Sequence, residues 1–389
     1  MNKILITGGT GVVGSASIPI FLRRTKAQIV LLIRAHNVDH LVTRKRELFH
    51  FLGNDIDPRE AESRLQFLAG DVTQNHLGLT ATQFGDLAQG LDHIVHSAAN
   101  VKLDMSMDES LRQSVSAAEN ILSLQRQASG CKLEYLSTVG VNGRRQAPLT
   151  EERISHDDGF FNTYEAGKAK AEQIIYQAQS DGLRITIHRP SMVVGHSQNG
   201  KIIHFQVFYF LLRLLSGALT RGVLPYLRPV KIDTVPSNLV ADALFAAANN
   251  SESTGRIFHL STGPESSLTI YELQSLIREV LIEHDLPCPR LRTVSPRVFR
   301  ALGWASQLPV WNQKWKMRLR LLPQFMDYAS QDQTFLSQNS QAFLKMHGVN
   351  WPLPRTYLKT VIEYYVRQMV PLKKAGVKSP GSADQAHAG

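Results

Sequence analysis

Short apolar runs alternate with amphipathic stretches through the first half of the chain, and the two kinds differ in period. Residues 4–7, 28–33, 65–68, 93–96, 132–137 and 184–188 are runs of strand length. Residues 11–24, 39–52, 108–127 and 162–179 carry apolar positions at helical spacing, and each falls between two of those runs. Strands separated by helices of this length pair in parallel, because a parallel crossover needs a dozen or more residues. The predicted class is α/β, a doubly wound parallel sheet of the Rossmann type.

The pattern changes after Pro190. Residues 196–230 mix Gly, Pro and aromatic residues with an apolar helix, 232–262 return to the alternating style, and from Ser266 the chain reads as helical and irregular. The expected organisation is a dinucleotide-binding domain over 1–195, rejoined by 230–262. A smaller, mostly helical substrate lobe takes 196–229 and 263–370. Residues 371–389 are rich in Lys, Gly, Ser and Ala without apolar period, and a disordered tail is expected there.

Composition adds bounds. A chain of 389 residues with 43% hydrophobic and 20% charged positions has the make-up of a soluble globular protein with a large core. Two cysteines, Cys131 and Cys288, make no disulfide framework and no metal spacing, so a reducing cytoplasm is the default and no metal is expected. Residues 1–7 run straight into a strand pattern, with no secretory signal expected before them. The most apolar stretch, 205–219, is too short to span a bilayer and is interrupted by Arg213. The net charge of +10 suits an acidic partner (phosphate groups, an acidic protein or anionic lipid) or simply solubility.

Between the first strand and its helix stand Gly8, Gly9, Thr10, Gly11, Val12, Val13 and Gly14. Gly9, Gly11 and Gly14 satisfy G-x-G-x-x-G, and Gly8, Gly11 and Gly14 the related G-x-x-G-x-x-G. Glycines here permit a tight turn and let backbone N–H groups approach a pyrophosphate at a helix N-terminus. The second strand then chooses the cofactor. An NAD site ends this strand with a carboxylate for the ribose 2′-OH, whereas here it ends in Arg34, and the first carboxylate is Asp39. An arginine pairs instead with a 2′-phosphate, so NADPH is favoured. Arg44 is either a second clamp or one of a solvated cluster with Lys45 and Arg46. Asp71, in Gly70-Asp71-Val72 after the third strand, is either an adenine contact or a turn cap. Ser97, Ala98 and Ala99 follow the fourth strand, and their small size lets a cofactor pass close by.

Tyr164 and Lys168 are four residues apart in a helical segment and so share one face. Ser137-Thr138 ends the fifth strand at the sheet edge where ligands bind in this architecture. Together they suggest carbonyl reduction. Tyr164 protonates the oxygen, Lys168 lowers the tyrosine pKa and holds the nicotinamide ribose, and Thr138 orients the same oxygen.

With these residues the chain resembles the extended short-chain dehydrogenase/reductase family. The matching stretches are Thr7 to Gly14, Asp71-Val72, His96 to Ala99, Ser137-Thr138, Tyr164 to Lys168, Arg189-Pro190 and Val235 to Asp242, within residues 1–262. Leu32 to Ala35 with Arg44, Asn162-Thr163 before Tyr164, and Arg189 to Gly195 are similar to the branch of thioester reductases and fatty acyl-CoA reductases. The chain departs from that pattern at Ser114, Ala117 and Gly167. The resemblance implies further cofactor contacts from Tyr164, Lys168, Pro190, Ser191 and Val193. It also implies NADPH-dependent reduction of a thioester-bound acyl group to an aldehyde, with no cysteine nucleophile. A ketone, alcohol or sugar-nucleotide oxidoreductase is an alternative within the fold. A non-catalytic NADPH sensor or scaffold is the alternative from another class.

On the substrate side, residues 204–219 form a helix apolar nearly all round, first of all a buried lobe helix and also a candidate wall for an acyl pocket. Residues 290–320 hold eight Lys or Arg and no Asp or Glu, with Trp304, Trp311 and Trp315 interleaved. This stretch is a solvated basic face, a dock for an acidic acyl carrier protein or coenzyme A, or, third in order, a surface for anionic lipid. No nucleic-acid-binding module is recognised.

Overall fold

Alternation by twos along each strand, with both faces apolar, produces a sheet covered on both sides. The computed structural model describes residues 1–101, 105–145, 148–154, 158–305 and 333–374. Its first half runs β1 (Lys3–Thr7), α1 (Val12–Arg24), β2 (Gln28–Ile33), α2 (Val38–Leu52), α3 (Pro58–Arg64), β3 (Leu65–Ala69), α4 (Ala81–Ala88), β4 (His93–His96), α5 (Met107–Gln127), β5 (Lys132–Leu136), α6 (Thr163–Ser180) and β6 (Ile185–Pro190). The second half runs β7 (Met192–Val194), α7 (Val207–Leu215), β8 (Val223–Pro225), β9 (Lys231–Ile232), β10 (Thr234–Pro236), α8 (Ser237–Asn249), β11 (Ile257–Leu260), β12 (Leu268–Thr269), α9 (Ile270–Glu283), β13 (Arg292–Val294), α10 (Pro296–Ala305), α11 (Gln338–Met346) and α12 (Pro354–Lys374).

Seven strands form one sheet in the order β11-β6-β5-β4-β1-β2-β3, and every pairing in it is parallel. Ile4 and Ile6 of β1 and Ile29, Leu31 and Ile33 of β2 pack on one face with α1, α2, α8 and α11. Leu5, Val30 and Leu32 pack on the other with α4, α5 and α6. The alternation places successive residues in opposite cores, as a doubly covered parallel sheet requires. Chain order reverses direction between β1 and β4, which opens a crevice at their carboxyl ends.

A third apolar cluster joins α7, β8, β9, α9, α10 and α12. Six of the nine residues of α7 are buried there, so the apolar helix is a packed element of that cluster. Among the described residues, no helix is long and apolar enough to cross a membrane.

Three features differ from the expectation. Helices α3 and α4 lie in a stretch the periodicity left unassigned. Each is short but firmly capped, by Asp57 with Pro58 at the first turn and by a reciprocal Thr80–Gln83 box. Helix α12 runs through Lys374, four residues into the segment read as a tail, because a helix anchored by Val366 and Met369 on the third cluster extends at little further cost. Residues 375–389 lie outside the described residues.

Helices α5 and α6 cross at Gly167. A Cβ there would stand 2.6 Å from Ser110 Oγ and 2.8 Å from both Ser110 O and Ser114 Oγ. Alanine would gain about 1 kcal/mol of helix propensity but meet an overpacking cost of about 1–3 kcal/mol. Gly167→Ala is therefore expected to lower the denaturation midpoint; an unchanged or raised midpoint would show that the helices separate freely.

Candidate active site

The glycine turn is shaped by close approach. Gly8 has φ +72°, and a Cβ on it would lie 2.7 Å from Ala98 N. Gly11 N–H donates to Gly8 O at 2.8 Å, and a Cβ on Gly14 would fall 2.2 Å from that same oxygen. Helix α1 starts at Gly11 with no side-chain cap and no acidic residue in its first turn. Its N–H groups and positive dipole end are left for an anion. Val12, Val13, Gly9 and Gly14 sit buried behind the turn.

The neighbouring strand end is stitched to the turn. Ser97 donates through N–H and Oγ to Thr7 O at 3.3 and 2.7 Å, and Ala98 N–H donates to Thr7 Oγ1 at 3.3 Å. Thr7 Oγ1 also shares a hydrogen bond of 2.9 Å with His96 Nδ1. Burial, then the charge of Lys168, pushes the His96 pKa down to about 3, so it stays neutral.

At the outer end Arg34 is exposed and Arg44 half-buried. Arg44 Nη1 donates to Arg34 O at 2.8 Å and Nη2 to Thr10 Oγ1 at 2.5 Å. Burial and the charge of Arg34 lower the Arg44 pKa, against a smaller pull from Glu47. Neither guanidinium is ion-paired with a carboxylate among the described residues. Asp71 Oδ1 accepts from Thr73 N–H and Oγ1 at 2.9 and 2.8 Å, so it caps its turn while also lining the cleft. Val72 lies beside it, its carbonyl held by Asn120.

A cleft of about 280 Å³ runs from Arg34 and Arg44 past Gly8 and Ser97–Ala99 to Ser114, Tyr135 and Lys168. A glycine cradle, an uncapped helix end and two arginines without carboxylate partners fit a dinucleotide with a 2′-phosphate.

At the inner end, Asn162 caps α6 by accepting from Glu165 N–H at 2.9 Å. One turn later Lys168, 5% exposed, donates from Nζ to Leu136 O at 2.8 Å and lies 5.0 Å from the centre of the Tyr135 ring. Burial pulls its pKa down to about 8, partly opposed by Glu172. Tyr164 is half-buried, and burial followed by the charge of Glu165 raises its pKa, the reverse of the lowering by Lys168 expected from the sequence. Thr138 Oγ1 accepts from Gly140 N–H at 3.1 Å and begins the 3-10 turn Val139–Asn142. That turn presses on α6, since a Cβ on Gly140 would stand 2.8 Å from Glu165 Cγ. Ser137 is buried and donates to Glu172 instead.

The structure thus brings Lys168, Ser97–Ala99, Asp71, Val72 and both arginines to one cleft. Tyr164 and Thr138 stand on the helix and the strand end that meet at its inner edge. Pro190 ends β6, and Ser191 and Val193 follow it, but none of the three lines this cleft; Pro190 and Ser191 are buried. His96, Ser114 and Tyr135 line it and were not foreseen as site residues. The His96-Ser97 strand end and the Tyr-Leu-Ser-Thr strand end held that signal for two of them. Cys131 is buried and its thiol pKa is pushed up to about 12, and Cys288 is free. Arg290, Arg292 and Arg297 are exposed, while Trp311 and Trp315, with the rest of 306–332, lie outside the described residues.

Sheet order and crevice define a Rossmann-type nucleotide-binding fold of the extended short-chain dehydrogenase/reductase class. Residues 6–244 match the family described as male sterility protein, and the chain belongs to that family. It is 28% identical over 288 residues to a glycine betaine reductase of Emericella nidulans, which covers 70% of this chain. The chain spans only 22% of the length of that relative. It superposes with a TM-score of 0.81 and 24% identity on the terminal R domain from the myxalamid PKS-NRPS pathway, covering 98% of this chain and 92% of that one. A thiolation-reductase di-domain from an archaeal non-ribosomal peptide synthetase gives 0.71 and 19%, covering 94% of this chain and 75% of that one.

Charge-assisted hydrogen bonds contribute about 1.5–3 kcal/mol each, or roughly ten- to a hundredfold in affinity. Arg34→Ala and Arg44→Ala are each expected to weaken NADPH binding by about tenfold or more while leaving NADH nearly unchanged. Equal losses for the two cofactors, measured by fluorescence titration, would remove the phosphate clamp.

Proposed function

We propose that this chain is an NADPH-dependent reductase that carries hydride to the carbonyl carbon of a thioester-bound acyl group and releases an aldehyde. The observation that carries the reading is the buried ammonium of Lys168 at the inner end of the cleft, one helical turn from Tyr164 and beside the turn that Thr138 opens. The bound nicotinamide supplies the hydride. Gly8 to Val13 and the α1 N-terminus hold the pyrophosphate, Arg34 and Arg44 the 2′-phosphate, and Lys168 the nicotinamide ribose.

Tyr164 is the proton donor. Its raised pKa keeps it protonated at neutral pH, and its hydroxyl has no hydrogen-bond partner among the described residues. Thr138 Oγ1 accepts from Gly140 N–H, which leaves its own proton to donate to the substrate oxygen. Hydride adds to the thioester carbon, and the oxygen takes the proton of Tyr164. The hydroxyl then returns its proton to the Tyr164 phenolate as the carbon–sulfur bond breaks, giving the aldehyde and a thiolate that takes a proton from water.

Supporting the thioester are the family, the relative named as a reductase, and the solved reductase domains of peptide and polyketide synthetases. The acyl group arrives on a carrier protein or on coenzyme A, and the net charge of +10 suits either acidic partner. The separate apolar cluster built from α7, α9 and α12 supports a substrate lobe beside the nucleotide-binding domain. Free thiols at Cys131 and Cys288 suit a reducing cytoplasm.

NADPH consumption with product identification, run across acyl-CoA, acyl-carrier-protein and ketone panels, tests the reading. Aldehyde from a thioester is expected, and turnover confined to ketones would overturn the substrate class. Tyr164→Phe should lose turnover by about a hundredfold or more while NADPH affinity holds; full activity would defeat the assignment. Because the charged form of Lys168 is the working one, kcat/KM should decline above pH 8, by about tenfold per unit. A profile flat to pH 10 would remove Lys168 from the reaction.

A further inference from the structure

We infer that Glu172 is the fixed counter-charge of Lys168 and the positioning residue that locks the end of β5 to α6. The inference rests on the reading of Lys168 as a working group. Glu172 follows Lys168 by one helical turn and Tyr164 by two, so all three share a face of α6. It is 1% exposed and accepts from every side. Arg189 Nε and Nη2 donate to its Oε1 at 3.0 and 2.5 Å, the Tyr176 hydroxyl donates to the same oxygen, and Ser137 Oγ donates to Oε2.

The cluster is closed on its far side. Arg189, wholly buried on β6, reaches His259 on β11, with Nη1 3.2 Å from His259 Nε2. Burial, then the charge of Arg189, pushes His259 down to about 3. The ring is therefore neutral, with Nδ1 donating to Leu336 O at 2.9 Å and Nε2 accepting from Arg189. Arg189 holds the direct ion pair to Glu172, and from one turn along α6 the same carboxylate opposes part of the fall that burial imposes on the Lys168 pKa.

Lys168 needs that field. Among the described residues its Nζ has one hydrogen bond, to Leu136 O. The other titratable groups around it are Tyr135 on β5, His96 on β4 and Tyr164 on its own helix, all uncharged at neutral pH. A buried ammonium so placed loses its proton readily unless a carboxylate stands near. The same carboxylate holds the Ser137 hydroxyl, and Ser137 N–H donates to His188 O at 2.7 Å. The residue before Thr138 is thereby fixed to a carboxylate on α6.

Competitive acetylation of the cofactor-free protein, followed at Lys168 by mass spectrometry across pH, reads the ammonium directly. Glu172→Gln should move its titration down by about one pH unit, so that labelling at pH 7 rises severalfold toward tenfold, with Glu172→Asp restoring much of the loss. Since Gln would leave Arg189 buried without a counter-ion, E172Q/R189M is made in parallel, because removal of both partners is better tolerated than removal of one. The double variant should shift in the same direction. Ser137→Ala withdraws a donor but leaves the charge, so it should lower thermal stability with the Lys168 titration in place. An unmoved titration in a folded Gln variant, or an equal shift in Ser137→Ala, overturns the inference. Absence of turnover on every carbonyl would sink the reductase reading while leaving this titration interpretable.

Discussion

An ammonium kept out of water at the carboxyl end of a parallel sheet sets the terms for the rest of the site. Lys168 is buried because α5, α6 and β5 close around it, and desolvation drives its pKa toward neutrality. The backbone carbonyl of Leu136, the face of Tyr135 and the carboxylate of Glu172 are what the fold sets against that cost. The same desolvation raises the pKa of Tyr164, so one physical cause yields a protonated phenol one helical turn from an ammonium whose pKa is pulled down to about 8. Such a pair suits proton donation to an oxygen that gains charge as hydride arrives.

At the other end of the cleft the governing constraint is steric. Gly8 touches the backbone of Ser97 and Ala98, and Gly14 touches Gly8 O, so the turn tolerates no side chain at either position. This contact joins β1 to β4 where the sheet order reverses, and it leaves the α1 N-terminus facing the crevice. The arginines complete the site electrostatically. Arg44, anchored on Thr10 and on the Arg34 carbonyl, sets a second guanidinium between the second strand and the glycine turn.

Two of the departures from the family pattern, Gly167 and Ser114, pack against each other. Gly167 lacks the side chain usual before the lysine, and the space it leaves is filled from α5 by Ser110 and Ser114. Ser110 donates to Thr163 O, and Ser114 lines the cleft beside Lys168.

Much of the fold and part of the site were legible because their signals are local. Period-two runs joined by helices state a parallel sheet, a glycine turn after the first strand states a phosphate cradle, and Tyr164 with Lys168 states a shared helix face. Arg34, just after β2, is read in the same local way. Even α3 and α4 carried readable caps, at Asp57-Pro58 and Thr80-Gln83, that the search for apolar period passed over. Only the tertiary structure decided which groups are charged and where each hydroxyl points. Ser137 and Thr138 are neighbours in sequence, yet one turns inward to a carboxylate 35 residues away and the other opens a turn beside the cleft. Asp71 serves its turn, His96 is held neutral, and Glu172 of α6 meets Arg189 of β6. Burial and partners of this kind come from elements distant along the chain, and local period carries no record of which distant element will arrive.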